Sequence, residues 1–404
     1  MPTMSYHLRP HHIATAETFV DKARRNGGLA ELDIERFWAD DAEAQKDPFG
    51  ADIPQVPFGA LPFEECIFDE LGIPEDRWRF ESDPQWLRQV AKAYNDKAEA
   101  IVGRRLLSER QPPTDADPAG IAPIKGLHDV FEMPNVWNND SQCYWLMESA
   151  TNEDELKALL DRVDARDIRS FILPENWDGL KASLDPAASL PHAYRSQRGP
   201  VTFSTSMYGS DRLILLIHDN PALAARLRDT IIRVMIEMAE VLDIEAGRTG
   251  PAEPRGWYWL DDNCCLLNPE IYEFYGYPIV QALFDRFAPA PDDLRGQHSD
   301  SDMAHLLPIL ARCNLHNCNF GPTLTVSQIR KHMPHTVIQG QLAPFTYSRN
   351  EEVNMVAELL RDFEMARDQR GLLFATAGSV NNGTRLTGMR LLMAAIQEFG
   401  RYDR

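Results

Sequence analysis

Cysteine is scarce in this chain: six among 404 residues, at Cys66, Cys143, Cys264, Cys265, Cys313 and Cys318, with no Cys-x-x-Cys pair. That number cannot staple a fold of this size, so a disulfide framework is excluded. Basic residues are also short, with 41 Lys and Arg against 61 Asp and Glu, for a formal charge of -20. A nucleic-acid binder needs a basic face and is excluded on that ground. A polyanionic substrate would require the few cations to cluster. No uninterrupted apolar run is long enough to span a bilayer, and the first ten residues lack the apolar core of a secretory signal. The expectation is a soluble cytoplasmic protein with no nucleic-acid and no membrane partner.

What is present is apolar content of 44%, enough for one large domain or two ordinary ones. Residues 1–110 read as a helical, irregular extension. Helical spacing runs over 12–25, prolines and glycines break 48–63 into loop, and 86–107 reads as a long amphipathic helix. Its apolar side carries Leu87, Val90, Ala91, Tyr94, Ala98 and Ile101. A proline- and aspartate-rich stretch over 111–123 marks a linker or surface loop. Beyond it, 152–163 reads as a helix with an acidic first turn, which suits the positive end of the helix dipole. Residues 201–204 read as a strand with a polar end. The helical pattern over 212–246 breaks at Asn220, and Pro221 suits the first position of a new helix. The last two helices are expected over 351–369 and 387–400.

Between 256 and 383 the pattern changes. Five short apolar runs, at 256–263, 294–300, 314–321, 336–341 and 372–378, each end in polar residues and a turn. Runs of that length between breakers suit buried parallel strands, and their alternation with helical patterns gives repeated βα units. In a barrel of such units the active site forms at the carboxyl ends of the strands. Residues 111–404 are expected to form that barrel domain. Its strand ends carry Asp261, Asp262, His298, Asp300, Asn317, Cys318, Gln339 and Gln341.

His298 and Asp300 are the sharpest pair. Side chains alternate along a strand, so the two share a face. There they serve as metal ligands, or as an acid/base pair whose carboxylate orients the imidazole, or as a structural hydrogen bond at the barrel mouth. Asp261 and Asp262 are adjacent and face opposite ways, so one enters the site, and Asp262 is the choice. A helix cap is the alternative use of either. Zinc accepts nitrogen, sulfur and oxygen, so His298, Asp300 and Cys318, with Asp262, form a candidate zinc set. An isolated cysteine is more often a small buried apolar residue.

The neutral polar residues Asn317, Asn319, Gln339, Gln341, Asn381 and Asn382 either orient a substrate or satisfy loop backbone. Among them Asn317, Gln339, Gln341 and Asn382 are the substrate-binding candidates. Tyr208 and Arg198, the single cation expected at the site, join them. Tyr208, Trp257, Trp259 and Phe320 give such a pocket an aromatic lining suited to a neutral or aromatic ligand. Alternation puts Trp257 and Trp259 on one face of their strand and Tyr258 and Leu260 on the other, which leaves the inward face undecided.

Several segments in order carry a family resemblance. They are Arg198-Gly199-Pro200-Val201-Thr202, Leu260-Asp261-Asp262, Asn268-Pro269-Glu270, Tyr277-Pro278, His298-Ser299-Asp300 and Asn319-Phe320-Gly321-Pro322. Gly340, Asn381-Asn382-Gly383 and Phe399-Gly400-Arg401-Tyr402 complete the series. Over roughly half its length the chain resembles the uroporphyrinogen decarboxylase superfamily, which includes methylcobamide:coenzyme M methyltransferases and corrinoid-linked O-demethylases. The resemblance implies a (β/α)8 TIM barrel with the N-terminal helical region over one end. Two departures stand out. The arginine-rich N-terminal segment that grips porphyrinogen carboxylates is missing, which sets that substrate aside. The His-x-Cys pair of the zinc methyltransferases is here His298-Ser299-Asp300, and Ala377-Gly378 stands where a late cysteine would be.

The reading that follows is a methyltransferase or demethylase. It moves a methyl group from a small substrate, an aryl methyl ether or methylated amine, to a corrinoid or tetrahydrofolate acceptor. His298, Asp262 and Asp300 are its expected catalytic residues. A corrinoid protein and a second copy of the chain, as a homodimer, are its expected partners. A metal-free decarboxylase of a small acid and a non-catalytic ligand-binding barrel are the rivals.

Overall fold

The structure, a computed structural model, describes residues 7–62, 66–109, 124–183, 194–250 and 255–403. The linker expected over 111–123 lies outside them. Two compact units divide the chain. One comprises Pro113–Gln297 and Pro308–Leu315, the other Met1–Pro112, His298–Leu307 and His316–Arg404.

The first of these units carries an antiparallel hairpin, β1 (Asn135–Asn138) and β2 (Cys143–Leu146). The strand β3 (Ser196–Arg198) follows and pairs in parallel with β4 (Trp257–Leu260). The expected strand over 201–204 is instead a helix, Pro200–Tyr208. Its physical reason is visible in the burial: Pro200, Val201, Thr202, Phe203, Ser204, Thr205, Met207 and Tyr208 are all covered. A helix covered all round has no polar stripe, so its short apolar run reads like a buried strand. Pro200 at the first helical position needs no amide partner there and starts the helix. Asn220 ends the helix Ser210–Asp219, and its side chain then accepts from the Leu223 amide to cap Pro221–Glu245. On β4, Trp257 and Trp259 are buried, and Trp257 stacks on Phe287 of the helix Gly276–Phe287 at 5.2 Å between ring centroids. The tryptophans therefore face a covering helix, and Tyr258 and Leu260 point the other way. Trp257 and Trp259 are core, not pocket lining.

The other unit holds β6 (Asn317–Phe320), β7 (Val337–Leu342) and β8 (Leu372–Thr376), paired in parallel. The strand β5 (Arg295–Ser299) carries His298 at its end. Within the first unit β3 and β4 are neighbours, and within the other β6, β7 and β8 lie side by side in chain order. Helices Val326–His332, Glu352–Ala366 and Leu386–Phe399 follow β6, β7 and β8, which is the alternation expected of βα units. Phe58 bridges Phe374 in parallel, so a further extended segment flanks β8. Gly59 N donates to Phe374 O, and Phe374 N to Pro57 O, each at 2.8 Å. The N-terminal helices Pro10–Arg25, Ile34–Ala44 and Pro84–Val102 each turn an apolar face inward, Pro84–Val102 through Val90, Ala91, Tyr94, Ala98 and Val102. No helix among the described residues is long and apolar enough to cross a membrane. All six cysteines are free thiols.

Candidate active site

The carboxyl end of β5 places His298 and Asp300 side by side, with His298 Nε2 3.3 Å from Asp300 Oδ1. On its other edge, His298 Nδ1 lies 2.7 Å from Asn319 Oδ1 on β6. Only 15% of the His298 side chain is exposed, against 46% for Asp300. The imidazole is thus held in the wall while the carboxylate reaches solvent. Asp300 Oδ1 also accepts from the Ser379 amide at 3.0 Å. Burial by itself raises the Asp300 pKa, but the hydrogen bond and charge of His298 and the Ser379 amide outweigh it and hold the group below the usual carboxylate range. The close approach depends on two glycines. A Cβ on Gly378 would meet Asp300 Oδ1, and one on Gly321 would meet the Asp300 carbonyl at 2.5 Å.

A buried polar network holds the end of β7. Gln341 N donates to Asp362, and Gln341 O accepts from Arg361 at 2.9 Å. Glu358 accepts from Ala343 N at 2.7 Å and from Thr346 at 2.8 Å. Burial pushes the Glu358 carboxyl up to about 7, outweighing the nearby Arg361 charge and these hydrogen bonds.

In the other unit the end of β4 carries Asp261 and Asp262. Asp261 is fully buried and accepts from Thr202 N and Thr202 Oγ1, each at 2.8 Å. It sits at the N-terminus of the helix Pro200–Tyr208, where a carboxylate meets unpaired amides and the positive dipole end. Burial nevertheless pushes it up to about 6. Gly199 is required here, because a Cβ would lie 2.0 Å from that of Asp261. Thr202 Oγ1 in turn accepts from Asn263 N at 2.9 Å. Asp262 is half-buried and leads into the turn Asn263–Leu266.

The remaining predicted residues scatter. Arg198 ends β3 and is exposed, whereas Tyr208 is buried in its helix beneath Arg212. Asn317 opens β6 instead of ending it, because the strand runs two residues later than expected, and its Oδ1 is buried without a hydrogen-bond partner. That shift gives the strand-end place on the same face to Asn319. Gln339 contributes its carbonyl, which accepts from Asn319. The Gln341 side chain is buried and its amide donates to Leu324 O at 2.8 Å, so it fastens a loop. Asn382 is exposed and bridges Glu75 and Arg77. Cys318 does not join His298 and Asp300 in any cluster of ligating atoms among the described residues. It alternates to the opposite face of β6 from Asn319 and is fully buried there. The candidate zinc set is corrected accordingly.

A second cluster of ligand-type side chains joins His11, His12 and Glu364. His12 Nδ1 accepts from the Arg9 amide at 3.1 Å, so the neutral ring carries its proton on Nε2 and donates to Glu364 at 2.6 Å. No lone pair is left there for a metal. The cluster is a hydrogen-bonded clasp between the helices Pro10–Arg25 and Glu352–Ala366, and Arg9 adds an ion pair to Glu364.

No family model and no curated protein matches the sequence. Among solved structures, a methyltransferase from Methanosarcina mazei matches with a TM-score of 0.50 at 14% identity. The match covers 89% of this chain and 98% of that one. At such low identity the likeness establishes a shared fold.

Proposed function

We propose that this protein is a methyl-transfer enzyme of the uroporphyrinogen decarboxylase-like class, with the His298–Asp300 pair as its activating group. It moves a methyl group from a small substrate, with an aryl methyl ether as the leading class, to a corrinoid or tetrahydrofolate acceptor. The observation that carries the reading is the orientation of His298 at the end of β5, its Nε2 toward Asp300. The fold shared with a methyltransferase supports it. In the finer architecture we propose, the βα units close as a (β/α)8 barrel with the N-terminal helices as an extension, acting in the cytoplasm.

In the transfer, an electron pair of the acceptor forms the new bond to the methyl carbon as the carbon–oxygen bond breaks. The leaving oxygen takes the proton of His298 Nε2–H, and Asp300 stabilises the imidazolium beforehand. Asp262 is assigned as a further carboxylate of the reaction, on its place after β4. A metal is compatible with the same pair. Two ligands of one ion bound at roughly 2.1 Å sit a little over 3 Å apart, and His298 Nε2 and Asp300 Oδ1 are 3.3 Å apart. His298 and Asp300 would hold such an ion, which supplies Lewis-acid activation of the leaving group when bound.

The test is transfer of an isotope-labelled methyl group from a methoxylated phenol to cob(I)alamin, or to tetrahydrofolate, followed by mass spectrometry. Labelled acceptor formed by the wild type and lost in His298→Ala is the expected result. Absence of label in either acceptor across aryl ether and methylamine donors overturns it.

A further inference from the structure

Asn319 is one of the neutral polar residues at the strand ends. Its surroundings give it a specific role. It is 8% exposed, and its Nδ2 donates both hydrogens, to Gln339 O on β7 at 2.6 Å and to Thr376 O on β8 at 2.8 Å. Turned over, the carboxamide would set its oxygen against two carbonyl oxygens and lose both bonds, so the network fixes which atom is which. The oxygen therefore points at His298 Nδ1, 2.7 Å away. An amide oxygen only accepts, so Nδ1 carries a hydrogen in every protonation state compatible with this contact.

We infer that Asn319 is a positioning residue that locks His298 in its Nδ1–H tautomer and so makes Nε2 its working nitrogen. A neutral histidine in water favours the opposite tautomer, with hydrogen on Nε2, and the partner of one nitrogen decides the state of the other. Here the partner is itself anchored to the backbone of two strands, so it cannot rotate to accommodate the other form. Nε2, the nitrogen beside Asp300, keeps its lone pair in the neutral ring. That lone pair accepts a proton for the transfer or binds an ion, and either use requires Nδ1–H. His12 makes the opposite choice for the same reason, since a backbone amide donates to its Nδ1.

The inference rests on the reading of His298 as the working group, but its test does not depend on activity. Two-bond proton–nitrogen correlation spectra of protein labelled with nitrogen-15 histidine, recorded at alkaline pH, report the tautomer of each ring. The His298 signal is assigned by its loss in His298→Gln. The wild type should show His298 as Nδ1–H, and Asn319→Ala should move most of the population to Nε2–H. In that variant kcat should fall roughly ten- to hundredfold, the scale for losing an outer partner of a functional histidine, with KM little changed. An Nε2–H ring in the wild type overturns the inference, even where Asn319→Ala fails to fold. So does an unchanged tautomer in folded Asn319→Ala, or an unchanged kcat once the tautomer has switched. Failure of the methyl-transfer reading shows separately, as an inactive wild type whose His298 is still Nδ1–H.

Discussion

Gly378 carries no Cβ where one would collide with Asp300 Oδ1, and its φ of +105° lies in the region that side chains avoid. The two facts reinforce each other. The turn that donates the Ser379 amide to Asp300 exists only with glycine at its start.

Gly378→Ala should therefore act on Asp300 first. The colliding oxygen is the far end of a short side chain and can swing away, so the stability loss should stay near the roughly 1–3 kcal/mol of a strained backbone. Transfer activity should fall more than stability does. Gly321→Ala is the contrast, because its Cβ would meet a carbonyl oxygen of the Asp300 backbone, which cannot swing. Thermal unfolding of both variants beside methyl-transfer rates checks the order: Gly321→Ala less stable, Gly378→Ala folded and slow.

His298→Ala should cost roughly a hundredfold or more in turnover, the scale of a lost general acid. It also leaves Asn319 Oδ1 buried without its donor, a penalty of about 1–3 kcal/mol in stability. Rates, unfolding curves and metal analysis of the purified proteins are the measurements. Equal activity and equal metal content in wild type and variant would remove His298 from the site.

The neighbours Asp261 and Asp262 should part company. Asp261→Asn cannot accept from both the Val201 and Thr202 amides as the carboxylate does, so it should destabilise by about 1–2 kcal/mol through the helix start. Asp262→Asn should leave the melting temperature nearly unchanged and lower turnover. A fully active Asp262→Asn enzyme would strike Asp262 from the proposed mechanism.

Glu358 gives the pH dependence. Its folded pKa, about 7, stands above the ordinary carboxyl value of 4.5 because burial penalises the charge. The folded state then binds more protons than the unfolded state between those values, so stability falls as pH rises through that window. The contribution is fully present below about pH 4.5 and lost above about pH 7, on the order of 3 kcal/mol for this shift. Glu358→Gln keeps an acceptor for Ala343 and removes the titration. Denaturant midpoints from pH 5 to 8 should decline more steeply for the wild type than for Glu358→Gln.

Periodicity and breakers were enough to place β4, β7 and β8 and the helices Glu352–Ala366 and Leu386–Phe399, because each is a patterned run with a clear boundary. Proline after Asn220 and the acidic start of the helix Glu153–Asp164 were readable for the same local reason. The pairing of His298 with Asp300 needed only the two-residue period of a strand. Other features depend on partners far along the chain. The helix Pro200–Tyr208 looks like a strand until its burial on every side and the carboxylate of Asp261, 59 residues from Thr202, are in view. Asn317 and Asn319 share a face of β6, and only the register of the strand decides which one meets His298. Composition cannot assign that register, because a two-residue slip keeps the same faces and changes only depth. The tautomer of His298 lies further still from the sequence. It is set by carbonyls of two other strands acting through one amide, and directional bonds of that kind form only when the strands are side by side.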